Sequence, residues 1–328
     1  MERKIKAGIV GGAGYTGGEL IRILLNHPAV EIVFVHSKSN ADKFLYQVHQ
    51  DLQGDTEIKF SAALNQKIDV LFLCVGHGEA TKFLKENKID DKIKIIDLSQ
   101  DFRLGDTSGK RKFIYGLPEL NKALIKKANN IANPGCFATA IQLGLLPLAK
   151  AGLLKEIHTT GITGSTGAGQ GLSATSHFSW RANNIQAYKT LSHQHLAEIG
   201  QSINSLQSNS PLGDGGLNFI PWRGDFTRGI FISSQIKCAL SLDEVSQLFK
   251  KYYAAHPFIV LSEEPIFLKQ VVNTNKCFIQ LEKVGGKLVA HSVIDNLLKG
   301  ASGQAVQNMN LMFGLEEMAG LKLKAIGF

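Results

Sequence analysis

Cysteine is scarce in this chain of 328 residues, and its four copies, Cys74, Cys136, Cys238 and Cys277, stand far apart in sequence. None is paired at a metal-ligand spacing. The scarcity excludes a disulfide framework and a cysteine-built metal centre, no metal is expected, and a reducing compartment, the cytoplasm, is predicted. Long apolar runs are missing as well, so no membrane span is expected. Met1-Glu2-Arg3-Lys4 passes directly into the apolar stretch Ile5 to Val10, which predicts that no signal peptide is present. Internal repeats, low-complexity linkers and long charge runs are also lacking, which sets aside solenoids and disordered tails. The formal charge is +8, but no basic stripe with interleaved aromatic residues accompanies it, so nucleic acid is not an expected partner. Attraction of small anionic ligands is the better reading of that charge, against an indifferent solvated surface. The length suffices for two domains with a sizeable core.

What the chain does contain begins with glycine. Ile5 to Val10 reads as a short apolar strand, and Gly11-Gly12-Ala13-Gly14-Tyr15-Thr16-Gly17 follows it. Gly12, Gly14 and Gly17 fit G-x-G-x-x-G, a strand precedes the motif, and a helix carrying Glu19, Leu20, Ile23 and Leu24 follows. In that context the glycines let backbone approach a pyrophosphate at the helix N-terminus. The next strand, Val30 to Val35, ends without the Asp or Glu that would hold a ribose 2′-hydroxyl. His36, Ser37, Lys38 and Ser39 stand there instead, and hydroxyls with a cation suit a 2′-phosphate, so NADP is the expected cofactor. Asp69 to Val75 and Ile93 to Leu98 read as further buried strands. The loop Gly76-His77-Gly78 lies on the same sheet edge as the glycine turn and is expected to touch the cofactor. Alternating strands and helices up to Ala132 predict a doubly wound domain.

Asn133-Pro134-Gly135-Cys136 reads as a tight turn that delivers a thiol to the first turn of a helix, with Ala138, Ile141, Leu145 and Leu148 at helical spacing behind it. The positive end of a helix stabilises a thiolate, so Cys136 is a candidate nucleophile; the alternative is a buried packing cysteine. Beyond it, Ile157 to Thr163 enters a second glycine-rich loop, Gly164-Ser165-Thr166-Gly167-Ala168-Gly169-Gln170-Gly171. Gln170 and Gly171 replace the Lys and Ser/Thr of a nucleotide-triphosphate loop, which sets an NTPase aside, though backbone N–H groups there can hold a phosphate or carboxylate. Ser192-His193-Gln194-His195 predicts a helix start capped by Ser192, with both histidines in its first turn, and a neutral imidazole able to move a proton. Strands expected at 218–221, 229–240, 277–283 and 287–295 make the middle of the chain a mixed sheet, and the last helix, Gly303 to Phe313, is expected to bury one apolar face.

Taken together and in order, Gly-Gly-Ala-Gly-Tyr-Thr-Gly, Asp97-Leu98-Ser99-Gln100-Asp101-Phe102-Arg103-Leu104, Tyr115-Gly116-Leu117-Pro118-Glu119-Leu120, Asn133-Pro134-Gly135-Cys136, His193-x-His195-x-x-Glu198 and Gly303-Gln304-Ala305-Val306-Gln307-Asn308 resemble the N-acetyl-γ-glutamyl-phosphate reductases of the semialdehyde dehydrogenase superfamily. The resemblance runs from Ile5 to Phe313. It implies an α/β fold: a Rossmann-type doubly wound NADP-binding domain at 1–135, an inserted α+β catalytic and dimerisation domain with a mixed sheet at 136–300, and a C-terminal helix, 301–328, returning to the first domain. It implies NADPH-dependent reduction of an N-acyl-γ-glutamyl phosphate through a Cys136 thioester, in arginine biosynthesis. His193 or His195 would handle the proton, Asn308 would approach the cofactor, and Asn133, Ser165, Arg103, Arg181 and Arg228 would approach the substrate, with Arg223 a further cation for its anions. A homo-oligomer, dimer or tetramer, follows from the same resemblance. Phe137-Ala138, Gln170 and Gln194 depart from the family pattern, and the two lost cations leave the N-acyl group open between acetyl and succinyl. Three other readings stand beside this one: an aspartate-semialdehyde dehydrogenase, a cysteine hydrolase that gives the glycine turn no use, and a non-catalytic NADP-binding regulator.

Overall fold

Apolar runs bounded by glycine and polar turns dictate the first half of the fold. In the computed structural model, which describes residues 3–327, they form β1 (Ile5–Val10), α1 (Tyr15–Leu25), β2 (Val30–His36), β3 (Phe60–Ser61), β4 (Val70–Leu73), α2 (Glu79–Glu86) and β5 (Lys94–Asp97). A small hairpin of β6 (Thr107–Ser108) and β7 (Arg111–Lys112) precedes β8 (Ile114–Tyr115), α3 (Pro118–Ile125) and β9 (Asn130–Ala132). The sheet runs β3-β2-β1-β4-β5-β9-β8, and every neighbouring pair is parallel. Parallel strands are covered on both faces, which is why Val70–Leu73 are all buried and show no alternation. The strand order reverses at β1, between β2 and β4, and the crevice beyond the carboxyl ends of such strands is where a nucleotide binds.

Two compact units divide the chain: residues up to Gly135 with Ala301–Lys322, and Cys136–Gly300 with the residues from Leu323 onward. The C-terminal segment expected to return whole to the first unit is therefore split after Lys322.

The second unit opens with α4 (Cys136–Lys150), followed by β10 (Ile157–Thr163), α5 (Phe178–Arg181), β11 (Gln186–Ala187), α6 (His195–Leu206), β12 (Leu217–Arg223), β13 (Ile230–Lys237), α7 (Leu242–Tyr253), β14 (Ile259–Ser262), β15 (Cys277–Val284) and β16 (Lys287–Ile294). These strands make a mixed sheet, β11-β12-β10-β13-β16-β15-β14, in which β10 pairs in parallel with β12 and antiparallel with β13. Helices α4, α6 and α7 pack on one face. Period-two burial follows: Ile230, Ile232 and Ile236 of β13 are buried, whereas Phe231, Ser233 and Gln235 are only half-buried. Residues Phe137 to Ala149 of α4 are all buried. Pro147 has no N–H for the Leu143 carbonyl one turn earlier, and the Tyr253 hydroxyl of α7 donates to that oxygen instead.

The last helix, α8 (Ser302–Met312), belongs to the first unit, where it packs on α1 and α3. All of its residues are buried, not one face alone as its pattern predicts. Its polar side chains are accommodated by specific partners: Asn310 donates to the carbonyls of Glu317 and Ala319 and meets His27, and Gln307 donates to Glu317.

Candidate active site

In the first unit the glycine turn makes a cradle. Gly11 has φ +78°, and a Cβ there would lie 2.3 Å from the Cys74 carbonyl oxygen, so only glycine lets the turn pass so close to β4. Gly14 occupies the N-cap of α1 and supplies no side-chain cap, so the leading N–H groups of Tyr15, Thr16 and Gly17 suit an anion's oxygens. A cleft of about 350 Å³ beside the turn is lined by Gly11, His36, Ser37, Lys38, Val75 and Glu79. Ser37 and Ser39 both accept from the Asn40 amide at 3.3 Å, which sets Lys38 between two fixed hydroxyls. Burial, and then Lys38, lower the pKa of His36, so no carboxylate and no obligatory charge stands at the end of β2. A phosphorylated ribose fits this donor set.

The Gly76-His77-Gly78 turn is held by the Asp97–Leu104 segment. Asp101 accepts from the backbone N–H groups of Gly78 (2.6 Å) and Thr81 (2.9 Å) and so caps α2 from outside the helix. Its own N–H donates to Ser99 Oγ (3.1 Å), which donates to Asp97 (2.7 Å). Burial pushes the Asp97 carboxyl up to about 6, against the hydrogen bonds from Ser99 and the charge of Arg103. Arg103 is buried and donates to the carbonyls of Asn133 (2.9 Å) and Leu98 (3.1 Å). Asn133 donates to Ala301 (3.1 Å) and accepts from Asn308 (3.1 Å), which also donates to Gly116 (2.8 Å). Three residues expected to touch ligands thus fix the backbone that leads to Cys136. Asn308 Oδ1 is buried without a partner, an acceptor left open for a carboxamide.

In the second unit Cys136 is the first residue of α4 and is half-exposed, with the remainder of the helix in the core. Gly300 packs on it: a Cβ at 300 would lie 2.8 Å from that of Cys136 and 2.6 Å from the Asn296 carbonyl. His193 sits in a box of rings, with Phe137 at 5.5 Å, Tyr188 at 6.0 Å, Phe219 at 5.6 Å and His195 at 4.5 Å between centroids. Burial first, and Lys189 second, push its pKa down to about 4. Helix α6 starts at His195 with Gln194 as N-cap, so His193 precedes the helix and Ser192 is not its cap. His193 Nδ1 does what a cap would do and accepts the His195 N–H at 3.2 Å. Glu198, buried one turn into α6, has Oε1 3.8 Å from His195 Nε2.

Arg228, expected to approach the substrate, is engaged by a carboxylate of its own unit. It grips the fully buried Asp295 with Nε and Nη2, at 3.1 Å each, and Asp295 also accepts from the N–H groups of Asn273, Leu297 and Leu298. Asn296 next to it accepts from Gly229 N–H (2.7 Å) and donates to Thr166 (3.0 Å), which fixes the turn Ser165–Ala168. Ser165 stands in that turn and its N–H donates to Phe226 (2.9 Å). Arg181 and Arg223 lie with Tyr188 in the same unit.

Residues 6–128 match the profile of the semialdehyde dehydrogenase NAD binding domain, and residues 136–296 match that of the semialdehyde dehydrogenase dimerisation domain. The N-acetyl-gamma-glutamyl-phosphate reductase of Christiangramia forsetii is 58% identical, over 98% of this chain and 99% of its own length. The chain belongs to the N-acetyl-γ-glutamyl-phosphate reductases, within the semialdehyde dehydrogenase family. A second reductase of that name, from Flavobacterium johnsoniae, is 56% identical over 99% of this chain and all of its own. Among solved structures, aspartate semialdehyde dehydrogenase II from Vibrio cholerae shares the fold, with a TM-score of 0.75 over 95% of this chain and 99% of that one, at 16% identity. The reductase family places the aspartate enzyme among structural relatives only. Among the described residues no helix is long and apolar enough to cross a membrane, and no cluster of His, Cys, Asp or Glu is arranged to hold a metal ion. Glu198, Tyr188, Asp101 and Asp295 are the residues that sequence reasoning passed over as contributors. Glu198 had a signal, one helical turn after His195; the others act through folding partners distant in sequence.

Proposed function

We propose that this chain reduces N-acetyl-γ-glutamyl phosphate with NADPH, releasing phosphate and N-acetylglutamate 5-semialdehyde, the reductive step of arginine biosynthesis, and that it does so in the cytoplasm. The observation that carries the reading is a half-exposed thiol at the first residue of a buried helix, in the same unit as two buried imidazoles. The Cys136 thiolate attacks the γ-carbonyl carbon, a C–S bond forms, and the oxyanion is met by backbone N–H at the start of α4. The C–O bond to phosphate then breaks and leaves a thioester. When bound, NADPH supplies the hydride that reduces this thioester, held by the Gly11–Gly17 turn, by Ser37, Lys38 and Ser39, and by the Gly76-His77 loop. His195 gives a proton to the reduced oxygen; as the hemithioacetal collapses, the C–S bond breaks, the proton returns to His195 and the thiolate is regenerated. The assignment to His195 rests on two supports. His193, with its pKa near 4, is neutral at physiological pH, and its Nδ1 is occupied by the His195 N–H. His195 has Glu198 beside it to orient the ring and balance its charge.

The sheet face opposite α4 carries Thr160, Ile162, Ile220, Trp222 and Phe231 around two shallow clefts, and this reading assigns the contact between copies to that face. The test of the reaction is phosphate-dependent reduction of NADP with N-acetylglutamate 5-semialdehyde, followed by absorbance. Wild-type protein turns over, and Cys136→Ser loses about 10³-fold or more while still binding NADP, because an ester accepts hydride poorly. Equal turnover in the variant excludes the covalent route.

A further inference from the structure

Gly18 lies inside α1 and outside the G-x-G-x-x-G motif, where glycine weakens a helix and the cofactor turn gives it no use. What it accommodates is an imidazole. A Cβ at 18 would lie 2.6 Å from His49 Nδ1 and 2.7 Å from His49 Cε1. His49 is buried in the first unit, between the short 3-10 turns Leu45–Gln47 and Gln50–Leu52. Its backbone N–H donates to the Leu45 carbonyl at 2.9 Å, and its carbonyl accepts the Leu52 N–H at 3.0 Å. The Phe60 ring packs beside it, with 6.3 Å between centroids. Held in this way, the ring sets Nε2 2.7 Å from the Gly12 carbonyl oxygen. A carbonyl only accepts, so Nε2 carries the proton of this hydrogen bond. The peptide that His49 grips by its oxygen carries the Ala13 N–H at its other end. A peptide group is rigid, and in its trans form the oxygen and the N–H point to opposite sides. The N–H groups of Gly11 and Gly12 donate to the His36 carbonyl, at 3.2 and 3.4 Å, and that of Gly14 donates to the Gly11 carbonyl at 3.4 Å. The Ala13 N–H has no partner among the described residues.

We propose that His49 is a positioning residue for the cofactor: its Nε2–H fixes the Gly12–Ala13 peptide so that the Ala13 N–H is presented to a pyrophosphate oxygen of NADPH. The inference rests on the reading of the Gly11–Gly17 turn as the holder of that cofactor. Glycine lets the turn take its tight path, and the same freedom lets the peptide after Gly12 rotate when nothing holds it. Rotation would aim a carbonyl oxygen at the anion in place of an N–H. A donor on the far side of the peptide selects the useful orientation before the anion arrives, so less order has to be imposed on binding. Gly17 and Gly18 serve the same end from the first turns of α1. A Cβ at 17 would lie 2.7 Å from the Gly12 Cα, and one at 18 would drive the imidazole off the carbonyl. His49 thus acts through Gly12, 37 residues away in sequence.

The experiment measures equilibrium binding to the full chain by calorimetry, with two probes. One is NADPH; the other is adenosine 2′-phosphate, which has the ribose phosphate but no pyrophosphate. His49→Leu removes the donor and leaves an apolar side chain in its place. It is expected to weaken NADPH about 10-fold, the scale of a hydrogen bond to a charged group, and to leave adenosine 2′-phosphate unchanged. His49→Gln can bring an amide N–H to the same oxygen and is expected to bind NADPH within about threefold of the wild type. Gly18→Ala, which displaces the ring, is expected to match His49→Leu and replaces it if that variant does not fold. An equal loss on both probes overturns the proposal, because a merely structural role disturbs the whole domain. Unchanged NADPH affinity in His49→Leu overturns it too, as does a Gln variant as weak as the Leu one. If the wild type binds no NADPH, the reading of the glycine turn itself fails, a result distinct from a loss confined to the variants.

Discussion

His193 and His195 are two residues apart and both buried, yet what touches them differs in kind. Rings surround the first, a carboxylate stands by the second. The difference has a measurable signature in stability. In the unfolded chain His193 binds a proton as pH falls through its ordinary 6.5, whereas in the folded chain it does so only near 4. Between those values the unfolded state holds more protons, so the folded state loses stability as pH drops from 6.5 to 4, and the effect is absent above 6.5. His193→Phe, which keeps a ring in the box, should flatten that part of the curve of denaturation midpoint against pH. Asp97 runs the other way, its burial cost relieved as pH falls through 6, so the comparison must be wild type against variant. His195→Asn should cost about 10²–10⁴-fold in kcat with NADP binding intact, a magnitude typical of a lost general acid. If the two variants exchange these phenotypes, the roles assigned here are reversed.

At the scale of the element, helix α2 shows how a loop is held still by something outside it. Asp101 supplies the N-terminal cap across a gap in sequence, and the Gly76-His77-Gly78 turn depends on it. Asp101→Ala should lower stability by about 1 kcal/mol, as cap deletions do, and raise KM for NADPH several-fold with little change in kcat. An unchanged KM would detach that turn from the cofactor. The same element explains what the sequence could and could not tell. Strands β1, β2 and β10 and helices α4 and α7 were legible, because period and glycine punctuation are local. Arginines were not: Arg103, Arg181 and Arg228 read alike as free cations. Folding ties Arg228 to Asp295 and Arg103 to backbone carbonyls, and leaves buried N–H groups open on Arg181. Nothing local marks which arginine will meet a carboxylate 67 residues away. Helix α8 misled for a related reason, since its asparagines and glutamines find partners inside the first unit and its polar face is buried with the rest.

For the molecule as a whole, the second sheet places Phe231, Ile162 and Trp222 around an open cleft on the face opposite α4. Phe231→Glu should shift the assembled protein toward monomer in light scattering, and an unchanged mass would move the contact elsewhere. Catalysis makes a further demand on the whole fold. The proposed nucleophile, Cys136, heads a helix whose next thirteen residues are all in the core. The freedom of that sulfur is therefore surrendered once, when the chain folds, and not again each time a substrate arrives. Orientation of this kind is a large part of what separates a reaction in a site from one in solution. Small cavities opened under α4 should then appear as slower turnover at temperatures where the protein is still fully folded.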